Sequence, residues 1–187
     1  LDQNVMQFLP EYSDVEKARE LIRGYIHNTP VMTSESINKI TESSVFFKCE
    51  NFQKAGAFKF RGACNAVFNL AASGADIKKG VATHSSGNHA AALALAAKIK
   101  GISANIVMPV SSPEIKKRAV AGYGAVITFC EPTLDSREST LARVIAETGA
   151  TEVHPYNNFY VIAGQGTAAL ELIEEAGEFD IVMAPVG

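Results

Sequence analysis

Lys59 stands in the run Asn51-Phe52-Gln53-Lys54-Ala55-Gly56-Ala57-Phe58-Lys59-Phe60-Arg61-Gly62-Ala63, wedged between two phenylalanines. Burial against such rings disfavours an ammonium and leaves an amine able to form a Schiff base with a carbonyl. A lysine in this setting can equally lay its stem on Phe58 and Phe60 while its head stays wet, so the run alone leaves both readings open. A second candidate is the turn Ser85-Ser86-Gly87-Asn88-His89. Gly87 lets the backbone approach a ligand, and the first amides of a following helix can hold a carboxylate or phosphate without a basic side chain. The competing reading is a plain turn in which Ser86 or Asn88 caps the helix.

Both candidates need elements to hold them. Ser13-x-x-Glu16 reads as a capping box, and Val15, Ala18, Leu21, Ile22, Tyr25 and Ile26 follow at helical spacing until Asn28-Thr29-Pro30. Residues 45–49 read as a strand, and a helix is expected from Lys59 to Ala72, closed by Ser73-Gly74. From residue 80 strands and helices alternate: strand 81–83, helix 88–100, strand 104–108, helix 113–121, strand 125–129 and helix 135–147. That order with short turns predicts an α/β fold with a parallel sheet covered on both faces. Residues 155–159 read as a loop, 167–176 as a helix and 181–185 as a strand. An apolar strand that opens onto a crevice is a poor place to stop, so more chain is expected beyond Gly187.

Composition narrows the class. With 47% hydrophobic and 20% charged residues the chain is globular rather than disordered. Its net charge of −3 and lack of a basic run argue against a nucleic-acid surface. The Ala90–Ala97 stretch is too short to cross a bilayer, and Leu1 to Asn4 lacks the start of a secretory signal. Cys49, Cys64 and Cys130 are odd in number and widely spaced, which speaks against disulfides and points to a reducing, cytoplasmic setting. His27, His84, His89 and His154 show no zinc-protease spacing.

Taken together, Phe58-Lys59-x-Arg61-Gly62-Ala63, His84 to His89 and Ala163-Gly164-Gln165-Gly166-Thr167 make a resemblance specific. The chain resembles the fold-type-II pyridoxal-phosphate enzymes, the tryptophan-synthase-β-like group. Within it the likeness is strongest to the eukaryotic serine racemase family, with serine/threonine dehydratases as relatives. Cys130-Glu131-Pro132 and Ser136-Arg137-Glu138 add to it. The resemblance runs from about Ser13 to Gly187.

It implies two lobes: a small α/β domain over 80–157, inserted in a larger domain of 1–79 and 158–187. It implies that Lys59 holds the pyridoxal 5'-phosphate covalently and then acts as a base at the substrate Cα. Phe58 would pack by the pyridine ring and Asn88 would bond its phenolic oxygen, with Tyr156 and Gly187 also at the cofactor. Residues Ser85, Ser86, Gly87, Asn88 and His89 would hold the amino-acid carboxylate, Arg137 would close over it, and Ser86 would be the base opposite Lys59. Serine racemisation and serine/threonine dehydration are the implied activities, in a homodimer with no membrane partner.

The chain departs from the family in places. Some animal serine racemases carry asparagine at Tyr156, where dehydratases often carry an aromatic, which shifts weight towards dehydration of threonine, serine or hydroxyaspartate. The glycine run that grips the phosphate is represented only by Gly187. The carboxylates of a Mg2+ or Ca2+ site come later, so no metal ligand is assigned. An ATP site would use Glu16, Ser34, Lys54 and Tyr123, but Glu35, Ala55 and Ala91 replace polar partners and argue against ATP regulation. Gly164 to Ala169 fits a loose G-x-G-x-x-A pattern, yet no strand precedes it and no acidic residue follows at the right distance for a dinucleotide. Gly122-Tyr123-Gly124 reads as a helix end. A reading of another class is a non-catalytic fragment that binds a partner through open strand edges.

Overall fold

The computed structural model describes residues 9–74 and 77–184. Leu1 to Asn4, Pro185 and Gly187, all invoked above, lie outside them. The chain opens with helix α1 (Tyr12–Ile22), then β1 (Val31–Thr33), α2 (Glu35–Thr41) and β2 (Phe46–Lys48). Two 3₁₀ turns, Glu50–Phe52 and Lys54–Gly56, lead into α3 (Lys59–Ala72). There follow β3 (Val81–His84), α4 (Asn88–Lys100), β4 (Ala104–Pro109), α5 (Glu114–Gly122), β5 (Val126–Cys130), α6 (Leu134–Thr148), β6 (Thr151–Glu152) and α7 (Phe159–Ala176).

The four strands β3 to β6 form one parallel sheet in the order β5-β4-β3-β6. Side chains alternate across it. Val81, Ile106 and Met108 join a cluster with the alanine face of α4 and Val120 of α5, while Ala82 and Val107 join Leu141 and Val144 of α6. Both faces are therefore covered, and β3 is buried at every position. After β5 the chain returns to the far side of β3 to add β6, so the connections leaving β3 and β6 part company at their carboxyl ends. Ligands of open α/β sheets bind in the crevice such a reversal leaves.

Helix α3 packs chiefly against α4 and α7. Every residue from Phe60 to Phe68 is buried. A β-carbon on Gly62 would meet the Val161 carbonyl at 2.6 Å, and one on Gly164 would meet the Arg61 carbonyl at the same distance. Glycine at these two sites lets the α3 and α7 backbones touch. Arg61 is wholly buried in this crossing, its guanidinium 2.7 Å from both Glu50 and Glu171, with Thr167 and Thr29 adding hydroxyls. Burial works against its charge, but the two carboxylates prevail and raise its pKa above the usual value.

Several expectations need correction. The first helix is capped by a box between Glu11 and Asp14, not Ser13 and Glu16, and ends at Ile22; Tyr25 instead sets its ring edge-on to Phe68 at 4.6 Å. Residues 181–184 form no strand, having no neighbour to pair with among the described residues. The last helix begins at Phe159, where Asn158 accepts a hydrogen bond from the Val161 amide, so the Gly164 to Thr167 motif lies inside it. The strand expected over 45–49 is present as β2, but its antiparallel partner β1 and the helix α2 were not foreseen; a three-residue strand carries little periodicity. No described helix is long and apolar enough to cross a membrane.

Candidate active site

Lys59 is the first residue of α3, presented by the turn pair before it. Buried Gln53 clamps that turn. Its amide oxygen accepts from the His27 and Lys54 N–H groups at 2.9 and 3.0 Å, and its nitrogen donates to the His27 carbonyl at 2.8 Å. Ala55 takes a left-handed conformation (φ 58°), unusual outside glycine, which turns the chain sharply towards Phe58. Lys59 Nζ then donates to the Pro155 carbonyl at 3.0 Å and lies 5.2 Å from the Phe58 ring centre. The lysine is half-buried, and desolvation pushes its pKa down. The amine is thus drawn towards its neutral, nucleophilic form.

The Pro155 carbonyl is itself held. His154 Nδ1 accepts from the Tyr156 and Asn157 N–H groups at 3.3 and 2.9 Å, and its ring stands edge-on to Tyr156 and His84. His89 turns inward from α4, where its Nε2 donates to the Val153 carbonyl at 3.1 Å. Burial drives the His89 pKa down to about 4, so the ring is neutral and its Nδ1 is a buried acceptor without a partner. His84 is also pushed down, first by burial and then by His154.

The turn from β3 to α4 settles one question left open by the sequence. No side chain caps α4, whose N-cap is Gly87; Ser85 Oγ instead accepts from the Gly87 N–H at 3.2 Å. The first amides of α4 are thus not taken by a cap, and Ser86 and Asn88 stand exposed. Asn88 shares a cleft of about 600 Å³ with Phe58, Gly56, Gln165 and Ala168. Gln165 Nε2 is buried in its wall with no hydrogen-bond partner among the described residues. A larger cavity of about 730 Å³, between the β2 region and the end of α7, contains none of the candidate residues.

The structure therefore gathers Lys59, Phe58, the Ser85 to His89 turn and the Tyr156 loop around the carboxyl ends of β3 and β6. Arg137 sits in the first turns of α6, half-buried, reaching the Pro132 carbonyl at 3.4 Å with its Nε unpartnered. Glu16, Ser34, Lys54 and Tyr123 fall on four separate elements, and no described hydrogen bond or ion pair joins any two of them; Ser34 is engaged in capping α2. Among the described residues no cluster of three or more His, Cys, Asp or Glu has the arrangement to hold a metal. Sequence reasoning missed Gln53 and the role of His154. A glutamine just before a small-residue turn and a His-Pro pair at a strand end were the available signals.

The pattern of the pyridoxal-phosphate dependent enzymes matches residues 22–187, and the chain belongs to that family. It is 54% identical over 180 residues to a beta-hydroxyaspartate dehydratase of Paracoccus denitrificans, covering 96% of this chain and 56% of the relative. Over 186 residues it is 50% identical to a serine racemase of Arabidopsis thaliana, all of this chain and 56% of that one. Among solved structures, maize serine racemase superposes with a TM-score of 0.88 at 48% identity, over 92% of this chain and 52% of that one. The chain thus spans about half the length of the relatives it matches.

The residues present suit such a cofactor. A partly desolvated amine can bond to an aldehyde carbon, an aromatic ring at the same cleft can cover a pyridine, and Asn88 and Gln165 offer amide donors there. The unpartnered Gln165 nitrogen is the kind of buried donor that a bound polar group would satisfy.

Proposed function

We propose that this chain belongs to a serine racemase that also dehydrates β-hydroxy amino acids, with Lys59 and the Ser85 to His89 turn as its working parts. The observation that carries the reading is the desolvated Lys59 amine, held by Pro155 beside an uncapped helix terminus. Bound pyridoxal phosphate supplies the electron sink that makes the substrate Cα–H acidic. Lys59, Phe58, Asn88, Tyr156 and Gly187 would hold it. The turn amides would hold the substrate carboxylate, with Arg137 closing over it.

Racemisation needs a proton taken from one face of Cα and returned to the other. Lys59 is the base on one face, and the desolvation that lowers its pKa favours the neutral amine that accepts the proton. The exposed Ser86 hydroxyl is the donor on the other. If the β-hydroxyl departs before the proton returns, the products are a keto acid and ammonia. Residues 80–157 would act as a small lobe against the remainder, in a cytoplasmic homodimer as the resemblance implies.

A second reading, in which dehydration dominates, is favoured by the aromatic Tyr156 and by the likeness to a dehydratase. The holoenzyme given L-serine should form D-serine, seen by chiral chromatography, together with pyruvate. Pyruvate without D-serine would select the second reading, and neither product would refute both.

A further inference from the structure

Gly87 is covered by a side chain from a different element. A β-carbon placed on it would fall 2.5 Å from Lys116 Nζ and 2.8 Å from Lys116 Cδ, so the lysine lies flat along the turn in the space a side chain would take. Lys116 comes from α5, which packs on α4 and β5 and fixes its approach. Its neighbour in sequence behaves differently. Lys117 Nζ donates to the Val110 carbonyl at 2.7 Å and lies 5.3 Å from the Phe129 ring centre. Among the described residues the Lys116 ammonium has neither a hydrogen bond nor an ion pair, although the residue is half-buried.

An ammonium beside the amino end of a helix faces partial charge of its own sign. With no carboxylate bonded to it, that placement is unfavourable unless an anion lies between the two. The uncapped α4 terminus and Lys116 are two positive sources that meet at one turn, and a single carboxylate can serve both. Arg137, the other cation invoked for this anion, comes from α6 on the opposite face of the sheet, so the two flank the turn rather than duplicate each other. We propose that Lys116 is a substrate-binding residue, its ammonium sharing the amino-acid α-carboxylate with the amides of the Ser85 to His89 turn. This assignment rests on the proposed use of that turn and adds a residue outside all three recognised motifs. It also gives Gly87 a second purpose, since any side chain there would displace the lysine.

The test uses the holoenzyme and acetate, a non-reacting carboxylate, as competitive probe. Lys116→Met should raise KM for L-serine and Ki for acetate at least about tenfold, as expected for a lost charge-assisted contact, while kcat changes less than about threefold. Lys116→Arg should restore much of both, and Lys117→Met should alter neither. Unchanged KM and Ki in Lys116→Met would overturn the assignment, as would a loss confined to kcat or an equal effect of Lys117→Met. The visible absorbance of the bound cofactor separates the two levels of argument. A coloured, active wild type with an insensitive Lys116→Met refutes this inference alone, whereas a colourless, inactive wild type refutes the proposed function and this inference with it.

Discussion

Lys59 and Arg61 are two residues apart on one helix, yet their surroundings differ in kind. Arg61 is wholly buried and its guanidinium is surrounded: two carboxylates, two threonine hydroxyls and the His27 carbonyl leave no donor idle. Lys59 has one carbonyl, and around it His89 Nδ1, Gln165 Nε2 and the first amides of α4 lack partners among the described residues. The Arg61 network between α3 and α7 satisfies its own charges, as a scaffold must, because an unpaired buried charge costs several kcal/mol. The rim of the cleft leaves polar atoms open to be satisfied by what binds there. One helix therefore carries an anchor and a reactive group side by side, and the anchor's rigidity positions the reactive end.

The largest effect should come from Lys59→Ala. It should abolish covalent cofactor attachment, read as loss of the visible band and of label fixed by borohydride, with the melting temperature little changed. A retained covalent adduct would erase the distinction between the two ends of the helix. Arg61→Met should do the reverse. By leaving Glu50 without its cation and Glu171 with Lys48 alone, it should cost about 3–5 kcal/mol of stability in denaturant titrations. A loss below about 1 kcal/mol would show that the network is not the anchor.

Acid should probe the rim. His89 has a folded pKa of about 4 against an unfolded value of 6.5, so the unfolded chain binds the proton more readily. Stability should fall as pH drops from 6.5 towards 4, by an amount of order 3 kcal/mol, and level off below. His89→Gln should flatten that window in melts across pH. Glu171 acts lower on the scale. Burial alone would raise its pKa, but Arg61 and Lys48 hold it below 4.5, so its contribution is complete above that pH and fades as acid protonates it. The smallest change expected is Gly164→Ala. Its methyl would press on the Arg61 carbonyl and should cost about 1–3 kcal/mol without altering cofactor uptake.

Much of this contrast was legible in the residues. Helices Lys59–Ala72 and Asn88–Lys100 have the bounds their composition predicted, because glycine and small-residue turns delimit them locally. The parallel sheet followed from apolar runs alternating with helical periods. Gly164 to Thr167 was legible as a motif but not as a helix interior, since Gly164 serves a contact with α3, about a hundred residues earlier in the chain, and Gly166 one with Val15 of α1. The short β1 had too few residues to show a period, and Gln53 and His154 act through backbone groups, a role that their residue types alone do not announce.

By itself, then, the sequence determined most of the longer elements, the covered parallel sheet, and the pairing of a lysine between aromatics with a glycine-bearing turn. These depend on local propensity and on burial periodicity, which are written residue by residue. Only the tertiary structure decided that Lys59 bonds Pro155 across 96 positions, that α4 goes uncapped and that Lys116 lies along Gly87. Such contacts join elements distant in the chain, and their existence depends on how whole helices pack rather than on any residue's own preference.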